Sequence, residues 1–441
     1  MKNIKLSFIG LLALLTVLWW MAEPLFAVPY EFFKLRSAMV YLSGILGIGA
    51  MSAGLLLASR PKWLEPWLGG LDKMYRLHKW LGITGLLASV IHWLWAKGPK
   101  WALGWGWLER PQRRQRSEPA SDVMAWFSSQ RDLAEQLGEW AFYALVALLL
   151  LALIKRFPYR WFYKTHRLLA VVYLLLVFHA VVLMKFSYWS VGLGPLMALL
   201  MMGGTAAALA SLFSRLGAAR RALGVIDELQ HHPDTHVLKL GVQLGSHWPG
   251  HRAGQFAFVT CDPAEGAHPF TISSSWTGDG RMFFLIKELG DYTCKLSQTL
   301  KLGEPVTIEG PYGRFDFASS KPRHIWVAGG IGISPFIAKL QTLGLSPAEQ
   351  QIDLFYSTQL PDADFIAKLR AAAVAAGVRL HLIAAPQGRL DTDKICQLVP
   401  DWASADVWFC GPAEFGRSLR KGFRNLGLGE RDFHQELFEM R

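Results

Sequence analysis

Four histidines inside two apolar stretches constrain this chain more than any other feature. Residues 77–96 (LHKWLGITGLLASVIHWLWA) hold His78 and His92, and residues 165–180 (THRLLAVVYLLLVFHA) hold His166 and His179. The histidines are 14 positions apart in the first stretch and 13 in the second. On helices rising about 1.5 Å per residue these gaps are roughly 20 Å, most of the way across a hydrocarbon core of about 30 Å. Ionisable side chains inside a span are costly, and they usually face the bundle interior with a function attached. A lone histidine in a span is commonly a hydrogen-bonded packing residue. Two matched pairs on two spans point instead to metal ligation by His78, His92, His166 and His179. The ligand that suits imidazoles on both sides, stacked twice across a bilayer, is haem, here two b-type haems. One detail resists: 14 steps nearly return to the same helix face, whereas 13 steps end roughly 140° away. Either the second helix is distorted between its histidines, or the two haems are approached from different angles.

The 441 residues divide by composition. Up to about residue 215 the chain is rich in Leu, Trp, Ala and Met in long runs, and the remainder reads as a soluble α/β protein. The formal charge of +12 lies largely in short loops beside apolar runs. That pattern fits membrane topology and argues against nucleic acid as a partner. Cys261, Cys294, Cys396 and Cys410 all fall in the second half without a CxxC spacing. No disulfide framework or zinc site is expected from them, and a reducing cytoplasm suits them.

Six apolar runs are expected to span the bilayer: 6–22, 38–59, 77–96, 139–154, 167–184 and 188–213. The first also resembles a secretory signal, with Lys2 and Lys5 before it and Leu25-Phe26-Ala27 as a candidate cleavage site. An uncleaved span is preferred, because Trp19-Trp20 and Glu23-Pro24 have the character of an interfacial end. Arg60, Lys62, Lys73, Arg76 and Lys79 flank the second connection, and Lys155, Arg156, Arg160, Lys164 and Arg167 flank the fourth. Arg215, Arg220 and Arg221 follow the last run. With six alternating spans these charges share one side, which is therefore cytoplasmic, and the soluble half lies there too. The third connection, taken as a loop over residues 97–138 with Arg110, Arg113, Arg114 and Arg116, is the one dissenter. His78 and His166 then stand at the inner face, and His92 and His179 at the outer.

The fold class expected is multi-domain. A six-helix transmembrane haem-binding bundle (1–215) precedes an antiparallel β-barrel FAD domain (222–318) and a doubly wound α/β nucleotide-binding domain (322–441). Short alternating strands are expected at 237–240, 255–259 and 281–287, with Gly/Pro punctuation at 310–313. After Lys321-Pro322 the pattern becomes a buried strand (324–328), a glycine turn (329–335) and a helix (336–343). Strand 352–357, helix 364–376 and strands 379–384 and 406–410 continue a parallel sheet. A glycine turn between strand and helix lets backbone approach a pyrophosphate, though such turns also serve packing alone. Cys410-Gly411-Pro412 after the last strand adds a second loop at the same end of the sheet. Residues 268–274 (HPFTISS) offer an aromatic face and hydroxyls suited to an isoalloxazine ring, and suit a barrel strand equally.

Together these segments resemble the ferric reductase and NADPH oxidase superfamily over nearly the whole chain. The resemblance rests on the two histidine pairs, HPFTISS at 268–274, Ile286-Lys287 with Gly290-Asp291-Tyr292-Thr293, GPYG at 310–313, GGIGISP at 329–335 and CGP at 410–412. It implies that His268, Pro269, Phe270, Thr271, Ser273, Ser274 and Lys287 belong to an FAD site, with Thr271 near the flavin ring. Gly290 and Thr293 would meet the FAD pyrophosphate. Gly329, Gly330, Gly332, Ser334 and Pro335, with Cys410, Gly411 and Pro412, would bind NADPH or NADH. Phe438 would cover the flavin face, so Thr271 and Phe438 stand closest to hydride transfer. A further histidine of the eukaryotic oxidases, one turn beyond the outer ligand of the third span, is replaced by Ala96. Arg36 matches their arginine at the outer end of the second span, and reads equally as an interfacial anchor. The implied activity is electron transfer from cytoplasmic NAD(P)H through FAD and two haems to an acceptor outside a bacterial inner membrane, either oxygen or a ferric chelate. The alternative is a haem relay serving a periplasmic protein partner docked on residues 97–138. Ser357-Thr358-Gln359 lacks the arginine that would argue for a 2′-phosphate, Arg389 being the other candidate.

Overall fold

The computed structural model describes residues 2–23, 31–109, 122–154, 156–245, 248–346, 349–384, 388 and 390–436. They form two compact units, one of Met1–Gly69 and Lys73–Leu216, the other of Gly217–Met440 with the short piece Gly70–Asp72.

The first unit is helical: α1 (Lys2–Ala22), α2 (Phe32–Ala58), the single turn α3 (Glu65–Leu68), α4 (Leu71–Gly104), α5 (Asp122–Ser129), α6 (Arg131–Leu153), α7 (Tyr159–Leu183) and α8 (Leu193–Leu212). Among the described residues five helices, α1, α2, α6, α7 and α8, are long and apolar enough to cross a membrane. The sixth expected run lies in α4, which at about 1.5 Å per residue is roughly 50 Å long. Its ends carry Asp72, Lys73, Arg76, Lys79, Lys97 and Lys100, and the segment between Lys79 and Lys97 has no charge.

A core joins α1, α2, α7 and α8 through Trp19, Ile48, Tyr173, Met197 and Met201. Tyr173 is hydrogen-bonded to the buried Ser52 hydroxyl at 2.8 Å, and its ring fits only because Gly204 of α8 has no side chain there. Small residues at such crossings let apolar helices approach closely. Ile9, Leu87, Ile91, Leu150 and Val171 remain exposed on the outside of the unit. That is the arrangement of helices turned toward lipid tails.

Two sequence expectations change here. The loop expected over residues 97–138 is mostly helix: α4 continues to Gly104 through Pro99, and α5 and α6 take up the far side. The arginines at 110–116 lie outside the described residues, as do Lys155 and the candidate cleavage site at 25–27. The run 188–213 is divided, because a 3-10 turn (Phe186–Val191) and Gly192 at φ +77° precede α8. A positive φ of this kind is accessible to glycine at little cost.

The second unit holds two sheets. Strands β1 (Arg221–His232), β2 (Val237–Leu244), β3 (Phe256–Thr260), β4 (His268–Thr271), β5 (Arg281–Lys287) and β6 (Pro305–Tyr312) form an antiparallel sheet ordered β4-β3-β6-β1-β2-β5. The short helix α9 (Thr293–Thr299) follows β5. Burial alternates along β1 and β5, the two-residue period of a half-buried strand. The edge strands are linked by one bridge, Ile272 to Phe284.

The parallel sheet is built from β7 (Arg323–Gly329), α10 (Ser334–Leu345), β8 (Gln351–Thr358), α11 (Ala363–Ala375), β9 (Arg379–Ala384), α12 (Thr392–Leu398), β10 (Ala405–Cys410), α13 (Ala413–Asn425) and β11 (Phe433–Gln435), ordered β11-β10-β7-β8-β9. Trp326, Leu354 and Trp408 pack on α10 and α11. Their neighbours Ile325, Val327, Phe355 and Phe409 pack with Ile395, Leu419 and Phe423 of α12 and α13. Alternate residues thus enter separate cores, so the sheet is covered on both faces, the doubly wound arrangement. The short edge strand β11 had no sequence signal.

Candidate functional site

In the helical unit α4 and α7 bring the four histidines together in two pairs. The His78 and His166 rings stand 5.9 Å apart, centroid to centroid, and those of His92 and His179 6.1 Å apart. Three rings are held from behind through Nδ1. His78 donates to the Gly54 carbonyl (2.8 Å), His92 to Val40 (2.9 Å) and His179 to Ala134 (2.8 Å). A backbone bond at Nδ1 sets the tautomer and aims Nε2 the other way, as a metal-binding imidazole requires. The fourth ring, His166, is stacked on Phe162 at 5.0 Å, and its buried Nδ1 has no hydrogen-bond partner among the described residues. Glycines make the room: a Cβ at Gly44 would lie 3.3 Å from His92, and one at Gly138 would overlap the His179 imidazole.

The helix α7 runs unbroken from Tyr159 to Leu183, so the spacing puzzle is one of angle and not of distortion. Its two rings leave about 140° apart around the axis, while those of α4 leave within about 40° of each other. Among the described residues no three His, Cys, Asp or Glu side chains gather as a metal site. Two imidazoles per site suit a metal whose remaining ligands come with it in a macrocycle. The residues present therefore fit haem.

Arg36 is occupied. Its Nε donates to the Trp95 carbonyl (3.1 Å) and its Nη2 to that of Ala96 (2.9 Å). Pro99 has no N–H to offer the carbonyl four residues earlier, which is that of Trp95. Arg36 supplies the missing donor.

In the second unit β4 carries His268, Pro269, Phe270 and Thr271. His268 stacks on Tyr292 at 4.2 Å, which joins the HPFT and GDYT segments. In the sequence Tyr292 stands within the GDYT motif, with no role of its own assigned to it. Burial lowers the His268 pKa to about 4, so the ring is neutral near pH 7. Thr293 Oγ1 accepts from the Leu289 and Gly290 amides at 3.0 and 3.1 Å and closes the loop before α9. Ser273 and Ser274 are buried with hydroxyls turned to backbone, at the Thr271 carbonyl and the Phe283 amide.

The glycine turn after β7 meets the loop after β10. A Cβ on Gly329 would stand 2.8 Å from Pro412, one on Gly332 would overlap the Cys410 carbonyl, and Gly411 at φ +158° lies against Gly329. Strand order reverses between β7 and β10, which is where ligands bind in open parallel sheets. Gly330 differs from its neighbours: it has open space around it, and its φ of +55° favours glycine. Ser334 donates to the Ile331 carbonyl (2.9 Å), and Pro335 opens α10. Burial pushes the Cys410 thiol well up, so it remains protonated. Lys287 lines a cleft with Gly330, Ile331, Tyr356, Thr358 and Asp362. Phe438 and Arg389 lie outside the described residues.

Residues 43–177 match the family model of the ferric reductase like transmembrane component, and residues 227–316 match that of an FAD-binding domain. The chain is 28% identical over 195 residues to the toluate 1,2-dioxygenase electron transfer component of Pseudomonas putida, a match covering 42% of this chain and 58% of that protein. It is 31% identical over 181 residues to an NADPH oxidoreductase of Mycobacterium tuberculosis, covering 39% and 47%. The chain thus spans about half the length of these relatives. Among solved structures, flavohemoglobin from Malassezia yamatoensis aligns with a TM-score of 0.48 at 16% identity, over 92% of this chain and 97% of that one. With a ferric-reductase-like transmembrane component followed by an FAD-binding domain, the chain matches the ferric reductase and NADPH oxidase superfamily.

Proposed function

We propose that the protein is a flavocytochrome b of the NAD(P)H oxidase or ferric reductase type. It passes electrons from cytoplasmic NADPH or NADH through FAD and two b-type haems to an outer acceptor, either oxygen, giving superoxide, or ferric iron. The observation that carries this reading is the pairing of four imidazoles at two levels between α4 and α7. Bound FAD and haem would supply hydride acceptance and one-electron transfer. The chain's own part is to hold and insulate them. His78 and His166 would hold the inner haem, and His92 and His179 the outer. The carbonyls of Gly54, Val40 and Ala134 accept from Nδ1 of three rings, which turns Nε2 toward the partner histidine.

In the second unit His268, Phe270 and Thr271, with Tyr292 behind them, would line the flavin. Gly290 and Thr293 would meet its pyrophosphate. The paired loops at 329–335 and 410–412 would take the nicotinamide nucleotide. Residues 1–215, 222–318 and 322–441 would be the three domains, the antiparallel sheet closing as a barrel at the Ile272–Phe284 bridge. With α4 as the third of six spans, residues 2 and 436 would both lie on the cytoplasmic face of a bacterial inner membrane.

The test is a reduced-minus-oxidised spectrum with haem quantitation on the purified full-length protein. Two haems per chain are expected. His92→Ala or His179→Ala should remove one and stop transfer outward, with flavin reduction by nucleotide intact. One haem or none in the unaltered protein would overturn the reading. Reoxidation by oxygen or a ferric chelate then identifies the acceptor. Reoxidation only by a periplasmic protein would favour the relay.

A further inference from the structure

We infer that the electron donor is NADH, and that Asp362 is the residue that rejects the 2′-phosphate of NADPH. This rests on the proposal that the parallel-sheet half takes a nicotinamide nucleotide.

The cleft beside the glycine turn has two walls. Gly330 and Ile331 begin one side, and the carboxyl end of β8, Tyr356 and Thr358, continues it to Asp362. The strand beside the pyrophosphate-binding strand is where the ribose of a dinucleotide lies in doubly wound sheets, and an acid there accepts hydrogen bonds from the 2′-hydroxyl. Asp362 follows β8 by four residues and lines the same cleft. A carboxylate accepts from a hydroxyl, whereas a phosphate monoester, carrying about −1.5 to −2 charge near pH 7, is repelled by it.

The helix end that might have offset this repulsion is already taken. Asp362 caps α11, its Oδ1 accepting from the Phe365 amide at 2.9 Å, and Asp364 adds a second acid in the first turn. The positive end of that helix is therefore matched by the chain's own anions. A histidine and a lysine border the cleft. The His232 Nδ1 stands 3.6 Å from the Asp362 carboxylate. Lys287 ends β5 of the antiparallel sheet, in register with Val237, and lines the same cleft. Among the described cleft residues it is the lysine that could seat a 2′-phosphate instead.

The experiment uses purified full-length protein loaded with FAD. Calorimetry measures NAD+ and NADP+ binding, and anaerobic stopped flow measures flavin reduction by NADH and NADPH. The unaltered protein should favour the unphosphorylated nucleotide by about tenfold in both measurements. Asp362→Asn preserves the helix cap, since asparagine caps as well as aspartate. It should narrow the preference several-fold, mainly through tighter NADP+ binding. Asp362→Arg should reverse it, and Lys287→Gln should leave the ratio unchanged. A preference for NADPH in the unaltered protein, or an unchanged ratio in Asp362→Asn, overturns the inference. So does a selective loss of NADP+ binding in Lys287→Gln, which would seat the phosphate there. If neither nucleotide binds, the donor reading itself has failed, an outcome distinct from a wrong preference.

Discussion

At Gly138 a hydrogen atom stands where any other residue would put a methyl group, and His179 occupies that space. The ring is pinned there by the Ala134 carbonyl, one turn earlier on α6. Gly138→Ala is therefore expected to push the imidazole off its hydrogen bond and out of line with His92. The outer haem should be lost while the pair at His78 and His166 is untouched. Haem quantitation should fall to about half, with helix content by circular dichroism unchanged. A full complement of two haems would show that α6 yields easily and that the contact does not position the ligand. The histidines themselves were legible because an ionisable ring in an apolar run is costly and stands out. Gly138 was not, since a glycine in an apolar helix carries no local signal of what lies across from it. The turn at 329–332 makes the same point: sequence marked the glycines, but only the contact with residues 410–412 separates crowded Gly332 from open Gly330.

At the scale of elements the informative case is α4. The apolar run in the sequence ends at residue 96, and Lys97, Pro99 and Lys100 follow it. The helix continues to Gly104, since α2 and α6 compensate. Arg36 donates to the carbonyl that Pro99 leaves bare, and Lys97 pairs with Glu139 of α6 at 2.7 Å. Leaving a part-buried carbonyl unsatisfied costs roughly 1–3 kcal/mol. Arg36→Met should lower thermal stability by about that amount, and Pro99→Ala, which restores the N–H, should reduce the cost in the double variant. Thermal denaturation of the four proteins measures the coupling, and additive losses would refute it. Should Arg36→Met instead abolish acceptor reduction with stability and haems intact, the arginine acts on the acceptor.

For the molecule as a whole, the expected sidedness rests on the basic loops. Arg60, Lys73, Arg76, Arg156, Arg160, Lys164 and Arg215 fall on one side if α1, α2, α4, α6, α7 and α8 all cross. A reporter fused after residue 441 should be active only in the cytoplasm, and one fused at residue 106 only outside. A cytoplasmic signal at 106 would remove α4 from the set of spans and with it the two-haem arrangement. By itself the sequence determined the division into an apolar and a soluble half, four candidate ligands, the glycine turns and most strands. Each of these is written in composition or in a short period along the chain. Only the tertiary structure decided that the paired histidine rings stand 5.9 and 6.1 Å apart, that His268 lies on Tyr292, that two glycine loops meet at the sheet's switch point, and that Asp362 closes their cleft. These partners lie from about 20 to almost 90 positions apart, and no local preference couples residues at that separation. Helix crossing and strand order do, because close packing leaves each side chain only the space its neighbours allow.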